Sequence, residues 1–126
     1  MINNMFSTNE IITSALHATQ LRNTVINNNI ANADVPNFRR SVVEFESMLQ
    51  SELERVSRDG GPINFLNISP RISTSPQNLP ERLDGNNVNI EAEMTALYQN
   101  SARYESLSIS IMNNYRRINQ VLTTNI

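Results

Sequence analysis

Carboxylates are the residues of this chain with the most versatile chemistry, and four of them lie close together in sequence: Asp34, Glu44, Glu46 and Glu52. Paired carboxylates can act as general acid and base, and several can hold a divalent cation. Neither a glycine-rich loop nor a set of metal ligands accompanies these carboxylates in the sequence, since the chain has three glycines, one histidine (His17) and no cysteine. We therefore expect no catalytic, cofactor-binding or metal site, and no small-molecule substrate.

Two arginine pairs, Arg39 with Arg40 and Arg116 with Arg117, could bind phosphates. All ten basic residues are arginines, and twelve acidic residues offset them to a net charge of −2. This balance provides no broad positive field for nucleic acid. Arginine pairs among interspersed acids are typical of a solvated face or of ion pairs at an interface. We expect no nucleic-acid partner.

The length of 126 residues fits one structural unit, in which 39% of the residues are hydrophobic. The sequence contains no run of roughly 18 apolar residues, and its start lacks the basic and apolar regions of a signal peptide. We expect a protein that is not inserted in a membrane and carries no cleaved secretion signal. The unit divides into residues 1–36, 37–87 and 88–126.

The first segment has the pattern of an amphipathic helix. Ser7 and Glu10 form a capping box, and Phe6 can pack on Ile11 as a hydrophobic staple, so the helix is expected to begin there. Pro36 should end the helix a residue or two before it. The apolar stripe is wide and mixes large and small side chains: Ile12, Ala15, Leu16, Ala18, Leu21, Val25, Ile26 and Ile30.

The middle segment is predicted to form a short helix followed by an extended connector. Apolar positions between residues 43 and 56 share one helical face. From Gly60 to Gly85, glycines and prolines punctuate the sequence and prevent any long sheet. The loose alternation at residues 63–68 favours one short strand. Because so long a connector is unusual inside a compact domain, we expect residues 58–85 to gain order from a partner.

The third segment has the most regular pattern in the chain. Asn89 can cap a helix, and Glu91 and Glu93 fall in its first turn, where the helix dipole favours acids. Steps of four and three then continue almost to the end, which predicts a heptad seam. At roughly 1.5 Å per residue the helix would be about 50 Å long, more than its own chain can cover. The seam consists of Ile90, Met94, Leu97, Ser101, Tyr104, Ser108, Ile111, Tyr115, Ile118 and Leu122.

Two long helices at the ends of a short chain close most simply as an antiparallel pair. We predict a mainly α protein, with two long terminal helices in an antiparallel coiled coil, a short helix and an extended, proline-punctuated middle segment. One partner cannot cover the wide stripe of the first helix, so other chains must meet the remaining apolar surface. The pattern indicates a structural assembly subunit. A helical adaptor or export chaperone that forms soluble oligomers is the alternative.

Two stretches of the chain resemble one known family. Residues 28–39 are similar to the amino-terminal signature of flagellar rod and hook proteins, commonly written NNIANADTPGYK, and residues 84–94 resemble the start of their carboxy-terminal helix. Val35, Asn37 and Asn89 stand where the family usually has Thr, Gly and Asp. Asn tolerates the left-handed backbone that Gly often supplies, and it caps a helix about as well as Asp. The motif positions are Asn28, Asn29, Ile30, Ala31, Asn32, Ala33, Asp34, Pro36, Phe38, Asn87 and Val88.

The resemblance implies a structural subunit of the bacterial flagellar rod. The proximal rod fits best, and other axial rod proteins of the family are the nearest alternatives. It further implies helical assembly through the terminal helices into a periplasmic drive shaft that transmits torque and surrounds the export channel. The implied partners are copies of the chain, other rod proteins, the rod-base adaptor and the membrane-ring base. Export would use the flagellar type III apparatus without a cleaved signal.

Overall fold

Three helices and one two-stranded sheet make up the fold, in a computed structural model that describes residues 2–75 and 82–124. The elements are α1 (Ile2–Ala31), β1 (Ser41–Glu44), α2 (Glu46–Asp59), β2 (Arg71–Thr74) and α3 (Ile90–Thr124). The two terminal helices are the longest elements, and they pack against each other. The prediction of a mainly α protein with two long terminal helices is confirmed.

Helix α1 begins and ends earlier than predicted. It starts at Ile2, so Ser7 lies inside the helix and the predicted capping box is wrong. A capping residue needs non-helical backbone angles, and no proline or glycine precedes Ser7 to break the helix. The helix ends at Ala31, after which the N–H of Val35 bonds to the carbonyl of Asn32 in a turn. Pro36 therefore follows a turn instead of ending the helix directly.

A small sheet in the middle of the chain differs from the sequence prediction. Strands β1 and β2 pair antiparallel, with Ser41 opposite Thr74 and Val43 opposite Ile72. Because β1 occupies the preceding residues, α2 begins at Glu46 and not at residue 43 as expected. Pairing joins segments that are far apart in sequence, so the hydrophobic periodicity within one segment does not report it.

The short strand predicted at residues 63–68 is wrong. The segment ends in a turn, in which the N–H of Ile68 donates to the carbonyl of Phe65 at 3.3 Å. Ile68 is fully buried there, in a cluster with Ala18 of α1 and Phe45. The apolar side chains of residues 63–68 alternate because several of them turn inward to this cluster. Ile11, Ala15, Leu49 and Ile63 also pack against the cluster.

Helix α3 begins as predicted. The Oδ1 of Asn89 accepts a hydrogen bond from the N–H of Ala92 at 3.0 Å, so Asn89 is the cap that the sequence indicated. The helix then continues for 35 residues, which corresponds to roughly 50 Å.

No helix in the described ranges is long and apolar enough to cross a membrane. Two prolines of the predicted connector, Pro76 and Pro80, lie outside the described residues.

Candidate functional site

The two sequence motifs meet in space, and Asn86 is the residue that joins them. Its side chain is fully buried. The Nδ2 donates to the carbonyls of Asn32, Ala33 and Val35 at 3.0, 3.0 and 2.8 Å, which fixes the turn that follows α1. The Oδ1 accepts the N–H of Val88 at 2.7 Å, which fixes the approach to α3. One amide thus ties the end of α1 to the start of α3.

Asn29 makes a second buried link between the motifs. Its Oδ1 accepts the N–H of Ser41 at 2.9 Å, and its Nδ2 donates to the Ser41 carbonyl at 2.8 Å. The Nδ2 also donates to Glu93 Oε2 of α3 at 3.1 Å. The Nε of Arg40 lies 2.7 Å from Glu93 Oε1, so the carboxylate, which is 1% exposed, is charge-paired. A buried carboxylate is tolerated only with such partners.

The loops of the two motifs also contact each other through their backbones. Asn37 adopts a left-handed backbone, with φ of 60°, as its substitution for the family's glycine allows. Its N–H donates to the carbonyl of Asp84 at 2.9 Å. Gly85 has φ of 79°, and a Cβ there would lie 2.5 Å from the Asn37 Oδ1. The backbone angle therefore favours glycine at position 85, and any other residue there would also push the Asn37 side chain aside.

We call Asn29, Arg40, Asn86, Asn87 and Glu93 the motif junction. Asn87 belongs to it because its Oδ1 accepts the N–H of Arg40 at 2.7 Å. Of the predicted motif positions, the junction buries Asn29, Ala33, Asn87 and Val88, while Asn28, Ala31, Asp34 and Pro36 are exposed and Ile30, Asn32 and Phe38 are half-buried.

Sequence reasoning missed three junction residues as site residues: Arg40, Asn86 and Glu93. A signal was present for Asn86, because it follows an Asp-Gly turn at the start of the second motif. Nothing in the spacing of Arg40 and Glu93 indicated that they pair. They are 53 residues apart in sequence, and only the packing of α3 beside the first motif brings them together.

Polar residues, not the predicted seam, make the hydrogen bonds between α1 and α3. Besides the bond from Asn29 to Glu93, the Nδ2 of Asn100 donates to the carbonyl of Thr19 at 2.8 Å. The Nδ2 of Asn114 donates to Asn9 Oδ1 at 2.9 Å. The three α3 residues are 7 and 14 positions apart, and each lies one position before a residue of one track of the seam. Their side chains therefore define the face of α3 that lies on α1.

The structure places the seam residues at the edge of this contact and beyond it. Leu97, Ile111 and Ile118 are half-buried. The remaining large side chains of the seam are between 37% and 67% exposed: Ile90, Met94, Tyr104, Tyr115 and Leu122. Most of the seam is therefore open to other chains. That it is an assembly seam stays a prediction.

Comparisons with known proteins match this chain to one family. A family model described as flagella basal body rod protein matches residues 10–39. The flagellar basal body rod protein FlgB of Bacillus subtilis (strain 168) is 32% identical over 114 residues, covering 87% of this chain and 88% of that protein. FlgB of Borreliella burgdorferi is 34% identical over 122 residues, covering 85% of this chain and 89% of that protein.

The chain belongs to the FlgB family of flagellar basal body rod proteins. This is a family of structural rod proteins and not an enzyme family. The family model covers most of α1 and the turn after it, which is the amino-terminal side of the motif junction. The recognition made from the two sequence motifs is confirmed.

Of the acids that could have suggested catalysis, Glu52 instead stabilises the fold of this FlgB relative. Across residues 2–75 and 82–124, no three acidic or histidine side chains are grouped so that they could hold a metal ion. Glu52 of α2 is 3% exposed, and its carboxylate accepts bonds from Arg55, from Asn67 and from the N–H of Asn64. These bonds, that of the Arg55 guanidinium above all, lower the pKa of Glu52 to about 2.

Proposed function

We propose that this chain is a structural subunit of the proximal rod and assembles helically through its terminal helices. The observation that carries the proposal is the apolar outer surface of α3, where nine large hydrophobic side chains are at least 37% exposed. A helix with apolar residues on more than one side is stable in water only when neighbours cover them. Membership of the FlgB family supports copies of the chain and other rod proteins as those neighbours.

Within each subunit, we propose that α1 and α3 form an antiparallel coiled coil. The hydrogen bonds between the two helices support this arrangement. Residues farther toward the C-terminus of α3 bond to residues nearer the N-terminus of α1. Glu93 bonds to Asn29, Asn100 to Thr19, and Asn114 to Asn9. Spacings of 7 and 14 residues along α3 place the three residues at one position of a heptad repeat. Such a pair leaves the opposite side of α3 for other subunits.

The proposed mechanism is mechanical. The motif junction fixes the angle between α1 and α3, because the buried amide of Asn29 bonds to the backbone of β1 and that of Asn86 to backbone carbonyls of the first motif. A subunit that does not bend at its loop end can pass torque to its neighbours along a drive shaft. In a helical array of such subunits, the long helices would surround a central channel for exported chains.

We extend the proposal to the partners and location implied by the resemblance. They are the other rod proteins, the rod-base adaptor and the membrane-ring base, in a periplasmic rod reached by export without a cleaved signal peptide. The relatives' names, which place them in the flagellar basal body rod, support the location. Exposed apolar side chains on several sides of α3 suit a subunit with several different neighbours.

The test replaces one exposed tyrosine of the seam. Tyr115 is 54% exposed, so Tyr115→Asp should leave the monomer folded but bury an unpaired charge in the rod. We expect the variant to be absent from purified basal bodies and its cells not to swim. Asn113→Asp is the matched control, since it adds the same charge to an exposed polar position of the same helix and should be tolerated.

Circular dichroism of the purified variants provides the folding check, and both should match the helix content of the parent protein. Normal swimming of cells that have only the Tyr115→Asp protein would contradict the proposal. A parent protein that stays in the cytoplasm as an oligomer of fixed size, absent from basal bodies, would instead support the adaptor or chaperone interpretation.

A further inference from the structure

The side of α3 that faces away from α1 carries a second heptad-spaced row of residues, separate from the seam. Its members follow one another at alternating steps of three and four, which keep them on one side of the helix. We call this row the outer strip: Ala102, Glu105, Ile109, Met112, Arg116 and Asn119. All of its residues are exposed, Ile109 to 48% and Met112 to 50%. The strip lies nearly half a turn around α3 from the residues that bond to α1.

Two opposite charges on the outer strip have no partners within the subunit. Neither Glu105 nor Arg116 forms an ion pair with any residue in the described part of the chain. The positions three and four residues away from each of them, where a helix could supply a partner, hold only uncharged side chains. A surface that covers the strip must therefore offer an opposite charge at both points, because a buried charge without a partner is costly.

The outer strip is complementary to itself when two copies of α3 run antiparallel. If the pair is centred between residues 110 and 111, Glu105 of each copy faces Arg116 of the other. Ile109 of each copy likewise faces Met112 of the other. Because the pair has two-fold symmetry, each of these contacts forms twice, and the two ion pairs flank an apolar centre.

Other registers of two heptad-spaced rows do not match the charges. In an antiparallel pair shifted by one heptad in either direction, a charged residue of the strip faces an apolar one. A parallel pair displaced by one heptad has the same fault, and a parallel pair in register sets Glu105 against Glu105 and Arg116 against Arg116. Polar residues within a heptad row favour the register in which they are paired. The strip therefore selects the antiparallel arrangement.

We propose that two free copies of this chain bind each other through their outer strips, antiparallel and centred between residues 110 and 111. The contact uses the same patch on both copies, so it closes as a two-fold dimer and does not extend an array. It goes beyond the proposed function, because the dimer is a form of the subunit before assembly that covers this apolar surface in water. Tyr98, which is 70% exposed and lies one step of four before Ala102, lengthens the contact by facing Thr123 of the other copy.

The antiparallel direction also separates the bulk of the two copies. Helix α2 begins beside the first half of α3, where Arg103 Nη1 lies 3.8 Å from Glu46 Oε1. In the dimer this point lies at the level of residue 118 of the other α3, and the second α2 begins toward the opposite end of the pair. A parallel pair in register would instead place both α2 helices at the same level.

Disulfide crosslinking of the purified protein provides the first test, because the chain has no cysteine of its own. Ala102→Cys and Asn119→Cys are made as two single variants at exposed positions that face each other in the dimer. Mixed and mildly oxidised, they should give at least about fivefold more disulfide-linked dimer than either variant alone, because the dimer holds the two thiols together. Two copies of the same cysteine would lie 17 residues apart along the pair, roughly 25 Å, too far to bond.

The outcomes separate this inference from the proposed function. Equal yields from the mixture and from the single variants would overturn the outer-strip dimer. A strong dimer from Ala102→Cys alone would overturn it as well, since that result indicates a parallel pair in register. Both results leave the rod assignment intact, whereas absence of the parent protein from basal bodies would overturn the rod assignment and leave the dimer standing.

Charge reversal, read by analytical ultracentrifugation, provides the second test. Glu105→Arg and Arg116→Glu should each weaken dimer formation by about tenfold or more, since either places like charges at two points of the contact. The variant with both changes restores opposite charges and should return to within about threefold of the parent. Glu54→Arg, at an exposed position on α2, is the control and should dimerise as the parent does.

Circular dichroism should show the same helix content in all of these variants. A parent protein that remains monomeric up to about 1 mM would contradict the proposal. So would a double variant no better than the single ones, or an equal loss in the α2 control.

Discussion

Asn86 and Tyr98 mark two opposite environments only twelve residues apart. Asn86 is a polar side chain with no exposed surface, and its amide bonds to four backbone groups. Tyr98 is a large aromatic side chain that is 70% exposed on α3. The motif junction buries polar groups, while the outer surface of α3 exposes apolar ones. The comparison teaches that the junction is held together mainly by polar contacts within one chain, whereas apolar side chains on the outer surface of α3 are left for neighbours to cover.

The two regions should therefore respond differently to mutation. At the junction, removal of the Asn86 amide leaves the buried N–H of Val88 without this acceptor and takes one hydrogen bond from each of three carbonyls, so the chain itself loses stability. On the outer surface of α3, removal of a side chain costs the isolated subunit little, because few contacts are lost there. Changes at the junction should affect the free energy of unfolding, and changes on α3 should affect assembly.

Asn86→Ala should have the largest effect on stability. It leaves the buried N–H of Val88 without this acceptor and removes the hydrogen bonds to the carbonyls of three residues of the first motif, so we expect the free energy of unfolding to fall by about 3 kcal/mol. Urea unfolding of the purified protein, followed by circular dichroism, measures the change. Asn28→Ala, at an exposed position of the first motif, should change it by less than about 0.5 kcal/mol. Equal losses in the two variants would remove the distinction between junction and surface.

Hydrogen exchange should resolve the same contrast along α3 in the monomer. Amides near Glu93 and Asn100, which bond to α1, should exchange more slowly than amides beyond Asn114, where the helix has fewer intrachain contacts. We expect a difference of at least about tenfold in rate between the two ends. In purified basal bodies the distal amides should become as protected as the proximal ones. Uniform protection of α3 in the monomer would contradict an incomplete outer surface.

The smallest effect concerns Glu52, a buried carboxylate outside the junction. Its bonds to Arg55, Asn67 and Asn64 lower its pKa to about 2 from an ordinary value of 4.5. The stabilisation is therefore fully present above pH 5 and is lost as the pH falls toward 2, when the folded carboxylate takes up a proton. Urea unfolding between pH 5 and pH 2 should show this loss in the parent protein. Glu52→Gln should be less stable at pH 5 and lose less stability over that interval, and an unchanged pH dependence would refute this role.

Short-range features of the fold could be predicted from the sequence. Asn89 caps α3 as expected, because capping joins a side chain to an N–H only three residues away. Asn37 adopts the left-handed backbone that its place in the motif requires. The capping box at Ser7 was predicted by the same logic and is wrong, because a cap signal does not operate where the helix already continues before it. Local signals decide element boundaries only when no adjoining segment extends the element.

The sequence by itself determined the three helices, the family and the excess of apolar residues on α3, since periodicity and motifs act within a few turns of the chain. Only the tertiary structure decided which face of α3 meets α1. It also decided the pairing of β1 with β2 and the bond of Asn29 to Glu93, residues 64 positions apart. Such contacts depend on how whole elements pack, because a buried amide gains its partners only when every surrounding element is in place.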